Sequence, residues 1–494
     1  MKRRFSEKFK ARENEPVFSI SNRNFRHVFH HRFGRSCHGN EKRDKGNRKR
    51  YNGAGGKMKK QNRLNRRTFL KSSALGMVGT GMAAKTGWSQ EKQEEEKKPL
   101  GKIKEYRTLG RTGFEASDLA TGSIMDEGLL AAALDAGFNY IDTAEQYPGH
   151  HKIVGNAIKG HDRKKLFICS KIQILKDTSK EGFLKRTRKA LEEIGTDYLD
   201  CMMIHFPETI ESLKTPGFHE AMQELKTEGR VRFVGASHHG SFWFQAPETS
   251  MKDILLAAAD DGRFDVFLMA YNFLQVDQGK KVLEVCNEKK IGIALMKTKP
   301  ISTLARIKAS VERAEEAGKE ASPIYKEGLQ RYQAMVAKGE DFLKKYNLQN
   351  PEEIKAAAVK FCLDNPHVHT VCCSARTYDE LEQYLALSGQ KLTETDEAIL
   401  AAYEKGCGQL YCRHACGLCE PYCPHSVPVN TIMRYNHYFE AQGREKEAML
   451  LYAQIPGAKA DVCGQCQGYC EFACPYGVPI HGKLLLAHQT LTLA

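Results

Sequence analysis

At 494 residues and a formal net charge of +15, the chain is too long for one ordinary core and has ample material for a barrel of about 250 residues plus appendages. The charge is local: residues 1–60 carry 19 Lys and Arg against 5 Asp and Glu, and the remaining 434 residues sum to +1, which argues against nucleic acid or another polyanion as a partner of the body. Nine of the 16 cysteines crowd between Cys407 and Cys474, at spacings that suit metal ligands better than the disulfides of a secreted mini-protein.

Residues 1–60 are polar, basic and without apolar periodicity, so they are expected to be a disordered extension that cannot bury enough surface to offset chain entropy. Met58 is followed by Lys59, Lys60 and then a complete targeting signal, so translation starting there, with the residues before it untranslated, is one expectation for this extension. That signal fills residues 61–99: Asn65-Arg66-Arg67-Thr68-Phe69-Leu70-Lys71, a mild small-residue stretch from Ala74 to Ala84, then a charged run over 91–98. The segment resembles a twin-arginine export peptide, which implies passage through the twin-arginine machinery after folding and a periplasmic or otherwise exported location. The apolar stretch is well short of the roughly 20 residues needed to cross a bilayer, so no stable transmembrane anchor is expected.

From residue 106 onward, short apolar or β-branched runs alternate with amphipathic stretches, the pattern of a parallel sheet with crossover helices. Eight runs are expected as strands: 118–123, 138–142, 166–171, 199–205, 232–237, 265–270, 291–296 and 368–374. Helices are expected over 128–136, 181–194, 215–228 and 352–363, and a Lys/Glu-rich insertion at 301–350 separates the last two strands. The expected fold is therefore α/β, an eight-stranded (β/α)8 TIM barrel over residues 100–400. In such a barrel the chemistry sits where strands end, which singles out Asp142, Lys171, His205 and Ser237, with Tyr147 just past the second strand.

Four motifs stand in register: Tyr106-Arg107-Thr108-Leu109-Gly110-Arg111-Thr112-Gly113, Asn139-Tyr140-Ile141-Asp142-Thr143-Ala144-Glu145-Gln146-Tyr147, Cys169-Ser170-Lys171 and Leu199-Asp200-Cys201-Met202-Met203-Ile204-His205-Phe206-Pro207. Together they resemble the aldo-keto reductase family over about residues 105–390. The resemblance implies hydride transfer between NADP(H) or NAD(H) and a small carbonyl or alcohol substrate. It implies Tyr147 as proton donor, Lys171 lowering its pKa, Asp142 holding the lysine, and His205 orienting the carbonyl oxygen. It also implies Ser237, His238, Ser374 and Arg376 as cofactor-binding positions. His238, Leu268 and Tyr384 depart from the residues usual in the family, and Cys372-Cys373 replace the common pair before Ser374.

Residues 401–494 contain the runs Cys412-x3-Cys416-x2-Cys419-x3-Cys423-Pro424 and Cys463-x2-Cys466-x3-Cys470-x3-Cys474-Pro475. Both resemble the bacterial ferredoxin pattern with one residue added, which implies two [4Fe-4S] clusters. By that resemblance Cys412, Cys416 and Cys419 share a cluster with Cys474, and Cys463, Cys466 and Cys470 share one with Cys423. Helices expected over 431–440 and 445–453 favour a mainly α-helical ferredoxin-like domain; zinc is the chief alternative metal for such cysteine ligands. Two functions stay open: an oxidoreductase whose clusters serve electron transfer to a redox partner protein or serve structure, and a non-catalytic electron-transfer or scaffold protein. An exported enzyme meets no replenished nicotinamide pool, so it is expected to hold its cofactor tightly or to regenerate it in place.

Overall fold

The computed structural model describes residues 100–492, apart from 175–176, 208, 239–249, 301–311, 313–314, 317–321, 349 and 415. The expected extension, the export signal and much of the insertion lie outside the described residues.

A short antiparallel hairpin, β1 (Tyr106–Thr108) with β2 (Glu115–Ser117), precedes the barrel. The barrel strands are β3 (Leu119–Thr121), β4 (Tyr140–Asp142), β5 (Phe167–Ile172), β6 (Leu199–His205), β7 (Val231–His238), β8 (Val266–Ala270), β9 (Gly292–Met296) and β10 (Thr370–Cys373). All pairs are parallel and β10 closes on β3, so the eight expected runs become the eight staves in chain order. The crossovers are α1 (Glu127–Asp135), α2 (His150–Ala157), α3 (Lys180–Ile194), α4 (Pro216–Thr227), α5 (Met251–Asp261) and α6 (Val276–Glu288), then α7 (Pro323–Lys345) and α8 (Pro351–Leu363) before β10. Their starts are written in the sequence. Ser179 caps α3 through Gly182 N–H, and Ser250 with Asp253 forms a capping box on α5.

Strand parity decides what fills the barrel. Tyr140, Phe167, Cys169, Cys201, Met203, Val266, Leu268 and Ala294 form the interior cluster, while Ile141, Ile168, Met202 and Ile204 face the helices. Gly235 makes room for this packing, since a Cβ there would stand 2.8 Å from Met203 and 2.5 Å from the Val266 carbonyl. Continued by two residues along each strand, the same inward parity places Asp142, Lys171, His205 and Ser237 at the C-terminal rim.

After β10 come α9 (Tyr378–Leu387) and α10 (Glu394–Cys407), the latter running across the expected boundary at residue 400. The rest is helical: α11 (Val429–Gln442), α12 (Glu445–Ala453), the single turn α13 (Tyr469–Phe472) and α14 (Ile480–Leu491). They enclose a second core of Ile432, Tyr435, Tyr452, Val478 and Leu484, into which Cys419, Cys463 and Cys470 are packed. The described residues form one compact unit. Among the described residues no helix is long and apolar enough to cross a membrane.

Candidate active site

Lys171 is sealed from solvent, and its Nζ donates to Asp142 Oδ2 at 2.7 Å and to the Thr143 carbonyl at 2.8 Å. Burial alone pulls an ammonium down, but the Asp142 charge outweighs it and holds Lys171 protonated, above its ordinary range. The ammonium sits 5.0 Å from the centroid of the Tyr147 ring. Tyr147 lies in the loop after β4, with His205 and His150 each at 6.1 Å between ring centroids. The structure therefore brings Asp142, Tyr147, Lys171 and His205 together.

Two features of the tetrad differ from the sequence reading. Desolvation of the Tyr147 hydroxyl exceeds the opposing effect of Lys171, so its pKa is pushed up to about 12 instead of being lowered. His205 is tied at Nδ1 to Gln146 Oε1 at 2.5 Å, while Gln146 Nε2 donates to Glu145 at 2.7 Å and Glu145 pairs with Arg186 at 3.1 Å. That chain orients the Gln146 amide, so the proton of His205 is assigned to Nδ1 and Nε2 is the acceptor. Burial, then the charge of Lys171, holds the imidazole well below its usual range, hence neutral.

The four candidate cofactor residues lie on the same rim. Ser237 and His238 end β7, fully buried, and the Ser237 hydroxyl and both His238 ring nitrogens lack a hydrogen-bond partner among the described residues. Burial, with Arg434 second, pushes His238 down to about 3. Ser374 and Arg376 follow β10 on the wall of a cavity of about 620 Å³ that Lys297, Thr298 and Tyr384 also line. Ser237 and His238 are not on that wall. A second pocket of about 300 Å³ holds Tyr147 and meets the cavity at Ser123, Met125, Gly443 and Arg444.

The cysteines pair across their two runs. The electrostatic neighbours of Cys412 include Cys416 and Cys474, and those of Cys419 include Cys412 and Cys416. Those of Cys463 are Cys470, Cys423 and Cys466. Each run's last cysteine thus faces the other run, and burial, before any neighbour, pushes the Cys412, Cys419, Cys463 and Cys470 thiols up. Among the described residues no three His, Cys, Asp or Glu side chains are gathered tightly enough to hold a metal ion. The ninth cysteine, Cys407, is buried with its thiol on the Gly339 carbonyl at 3.8 Å.

The profile of the aldo/keto reductase family matches residues 124–405, more than half of the chain. The chain belongs to that family. It is similar to the methylglyoxal reductase DkgB of Salmonella typhi, 32% identical over 128 residues, which is 25% of this chain and 47% of that protein. The chain thus spans about half the length of the curated relatives it matches at this identity. It is also similar to the aldo-keto reductase YhdN of Bacillus subtilis, 22% identical over 320 residues, 59% of this chain and 91% of that one. Among solved structures, an aldo-keto reductase of Klebsiella pneumoniae in complex with NADPH matches with a TM-score of 0.42 at 19% identity, covering 62% of this chain and 95% of that one.

This aldo/keto reductase also carries rim residues that no motif announced. Arg444, from the turn after α11, puts its guanidinium 5.6 Å from the Tyr147 ring and pairs with Glu447. Lys297, at positive φ of 60° just past β9, lies 4.7 Å from the Tyr438 ring. Arg434 lies 4.9 Å from the ring of Phe206, which stacks on His205 at 3.8 Å. Arg434 sits on a helical face and Arg444 and Lys297 in the segments after α11 and β9, none at a characteristic spacing, so only the tertiary fold reveals them.

Proposed function

We propose that the chain is an oxidoreductase that transfers hydride between NADP(H) or NAD(H) and a small carbonyl or alcohol substrate. The observation that carries this reading is the Lys171–Asp142 pair sealed beneath Tyr147 at the barrel's C-terminal rim. A bound nicotinamide would supply the hydride. Tyr147 holds the proton that a developing alkoxide needs, and Lys171 lies close enough to stabilise the phenolate left behind. Tyr147 is the donor to a carbonyl and, as the phenolate, takes the same proton back from an alcohol, while His205, neutral and 6.1 Å from it between ring centroids, is suited to position the substrate.

The orphaned hydroxyl of Ser237 and ring nitrogens of His238 are suited to a cofactor's polar groups, because buried polar atoms without partners are costly and await a ligand. Ser374 and the guanidinium of Arg376 are suited to its phosphates. The name of the Salmonella relative, a methylglyoxal reductase, makes methylglyoxal the first substrate to try.

The C-terminal residues are read as a ferredoxin-like module with two [4Fe-4S] clusters, one on Cys412, Cys416, Cys419 and Cys474, the other on Cys463, Cys466, Cys470 and Cys423. The crossed neighbours support this, and each thiolate of a cubane binds a different iron, so four such sulfurs stand farther apart than the ligands of a single ion. The clusters would serve a redox partner protein or the module's stability. Residues 61–99 are read as the twin-arginine signal that sends the folded protein to the periplasm. The second reading, an electron-transfer or scaffold protein, is favoured by Leu268, which packs into the barrel interior where the resemblance implies a cofactor-contacting glutamine.

Single-turnover reduction of methylglyoxal by the NADPH-loaded protein tests the proposal, and its pH profile carries a signature. With Tyr147 at about 12, the proton is present across the neutral range, so carbonyl reduction is expected to stay flat from about pH 6 to about pH 9. Alcohol oxidation needs the phenolate and is expected to rise about tenfold per pH unit over the same range. A reduction rate that falls steeply above neutrality would assign the proton to another group.

A further inference from the structure

The helix α11 and the turn after it lie across the barrel mouth. Met433, Asn436 and His437 of α11 line the same cavity as Lys297, Ser374 and Arg376 of the rim. At the helix end Gly443 adopts φ +61, and a Cβ there would stand 3.3 Å from the Arg376 guanidinium. The next residue, Arg444, reaches the Tyr147 ring. One continuous stretch therefore covers both the candidate phosphate site and the candidate proton donor.

Covers that open during turnover are loosely held loops. This one is anchored by buried polar contacts to the segment after β8. Asn272 donates to the Tyr411 hydroxyl at 3.1 Å, Arg413 Nε donates to the Leu274 carbonyl at 3.0 Å, and the Gln275 side chain donates to the His414 carbonyl. Asn430, on α11, donates through Nδ2 to the Arg413 carbonyl at 2.7 Å, which ties the helix to that anchor. Asn272 is fully buried, Gln275 is 2% exposed and Arg413 6%. Lifting the cover would break these bonds together and leave buried groups unsatisfied until water reached them.

The cavity also asks for negative charge. Lys297, Lys299, Lys355, Arg376, Arg444 and Lys483 line it against Asp126, Glu380 and Glu440, and burial first, then Arg434 and Arg444, press the Lys297 ammonium well below its ordinary range. An anion lodged among them would relieve that repulsion.

We infer that the C-terminal module is a fixed roof that makes the nicotinamide cofactor a resident group, retained through turnover instead of exchanged with a pool, so that an alcohol substrate returns to the bound NADP+ the hydride that a carbonyl substrate removes. The inference rests on the nicotinamide reading above and deepens it. The test uses the whole chain purified without added nucleotide, with acid extraction and mass spectrometry for nicotinamide, followed by exchange against isotopically labelled NADPH.

The expected result is nucleotide that survives gel filtration and exchanges over minutes to hours, with Asn272→Ala and Gln275→Ala accelerating exchange about tenfold or more. Wild-type protein that binds NADPH and exchanges it within seconds would overturn the roof while leaving the nicotinamide reading intact. Exchange in both variants at the wild-type rate would overturn it too. Protein that neither contains nor binds nicotinamide would remove the cofactor reading and the roof with it. If a variant fails to fold, the wild-type exchange rate decides alone.

Discussion

Tyr147→Phe is expected to lower kcat for carbonyl reduction by about 10²- to 10⁴-fold, the usual contribution of a positioned proton donor. NADPH affinity should be unchanged, because the phenyl ring keeps the contacts of Tyr147 with Lys171, His205 and Arg444 and loses only the hydroxyl. The equal fall of kcat and kcat/KM marks a contribution made in the transition state. Single-turnover reduction of methylglyoxal by the NADPH-loaded protein, and the nucleotide retained after gel filtration, measure the two halves of the claim. Full activity in the variant would move the proton donor elsewhere.

Lys171→Met is expected to destabilise the protein by about 3–5 kcal/mol, because it leaves Asp142 buried without its counter-charge. The sign of the pH dependence follows from that burial. In the variant the folded state raises the Asp142 pKa with no ammonium to oppose it, so the folded chain binds more protons than the unfolded one and stability falls as pH rises through the carboxylate range. Adding Asp142→Asn should recover part of the loss, since a neutral amide costs less to bury than an unpaired carboxylate. Denaturant titrations at two pH values measure both effects; a Lys171→Met chain as stable as wild type would mean that the pair is solvated.

The barrel was legible because its strands are short apolar runs separated by amphipathic stretches, and parity along each run fixes which side chains fill the interior. Asp142, Lys171 and His205 could be placed at the rim from that parity, and Tyr147 from its motif. The acidity of Tyr147 was not legible, since it depends on how much water the fold removes around the hydroxyl, and here desolvation wins over the neighbouring ammonium. The tautomer of His205 needed the path from Arg186 through Glu145 and Gln146, in which Gln146 is close in sequence but Arg186 lies on α3. Arg434, His437 and Arg444 were invisible because a helix that roofs a neighbouring domain looks, in sequence, like any partly polar helix. The cysteine runs announced ligands, and their crossing in space could be expected only through the ferredoxin resemblance.

The proposed reading joins a reductase barrel to a cysteine-rich module that holds two [4Fe-4S] clusters. Iron and acid-labile sulfide per chain, measured on anaerobically purified protein, test it directly. Two [4Fe-4S] clusters predict about eight of each in a brown sample, whereas a colourless chain carrying zinc, or a stable chain carrying no metal, would contradict the account.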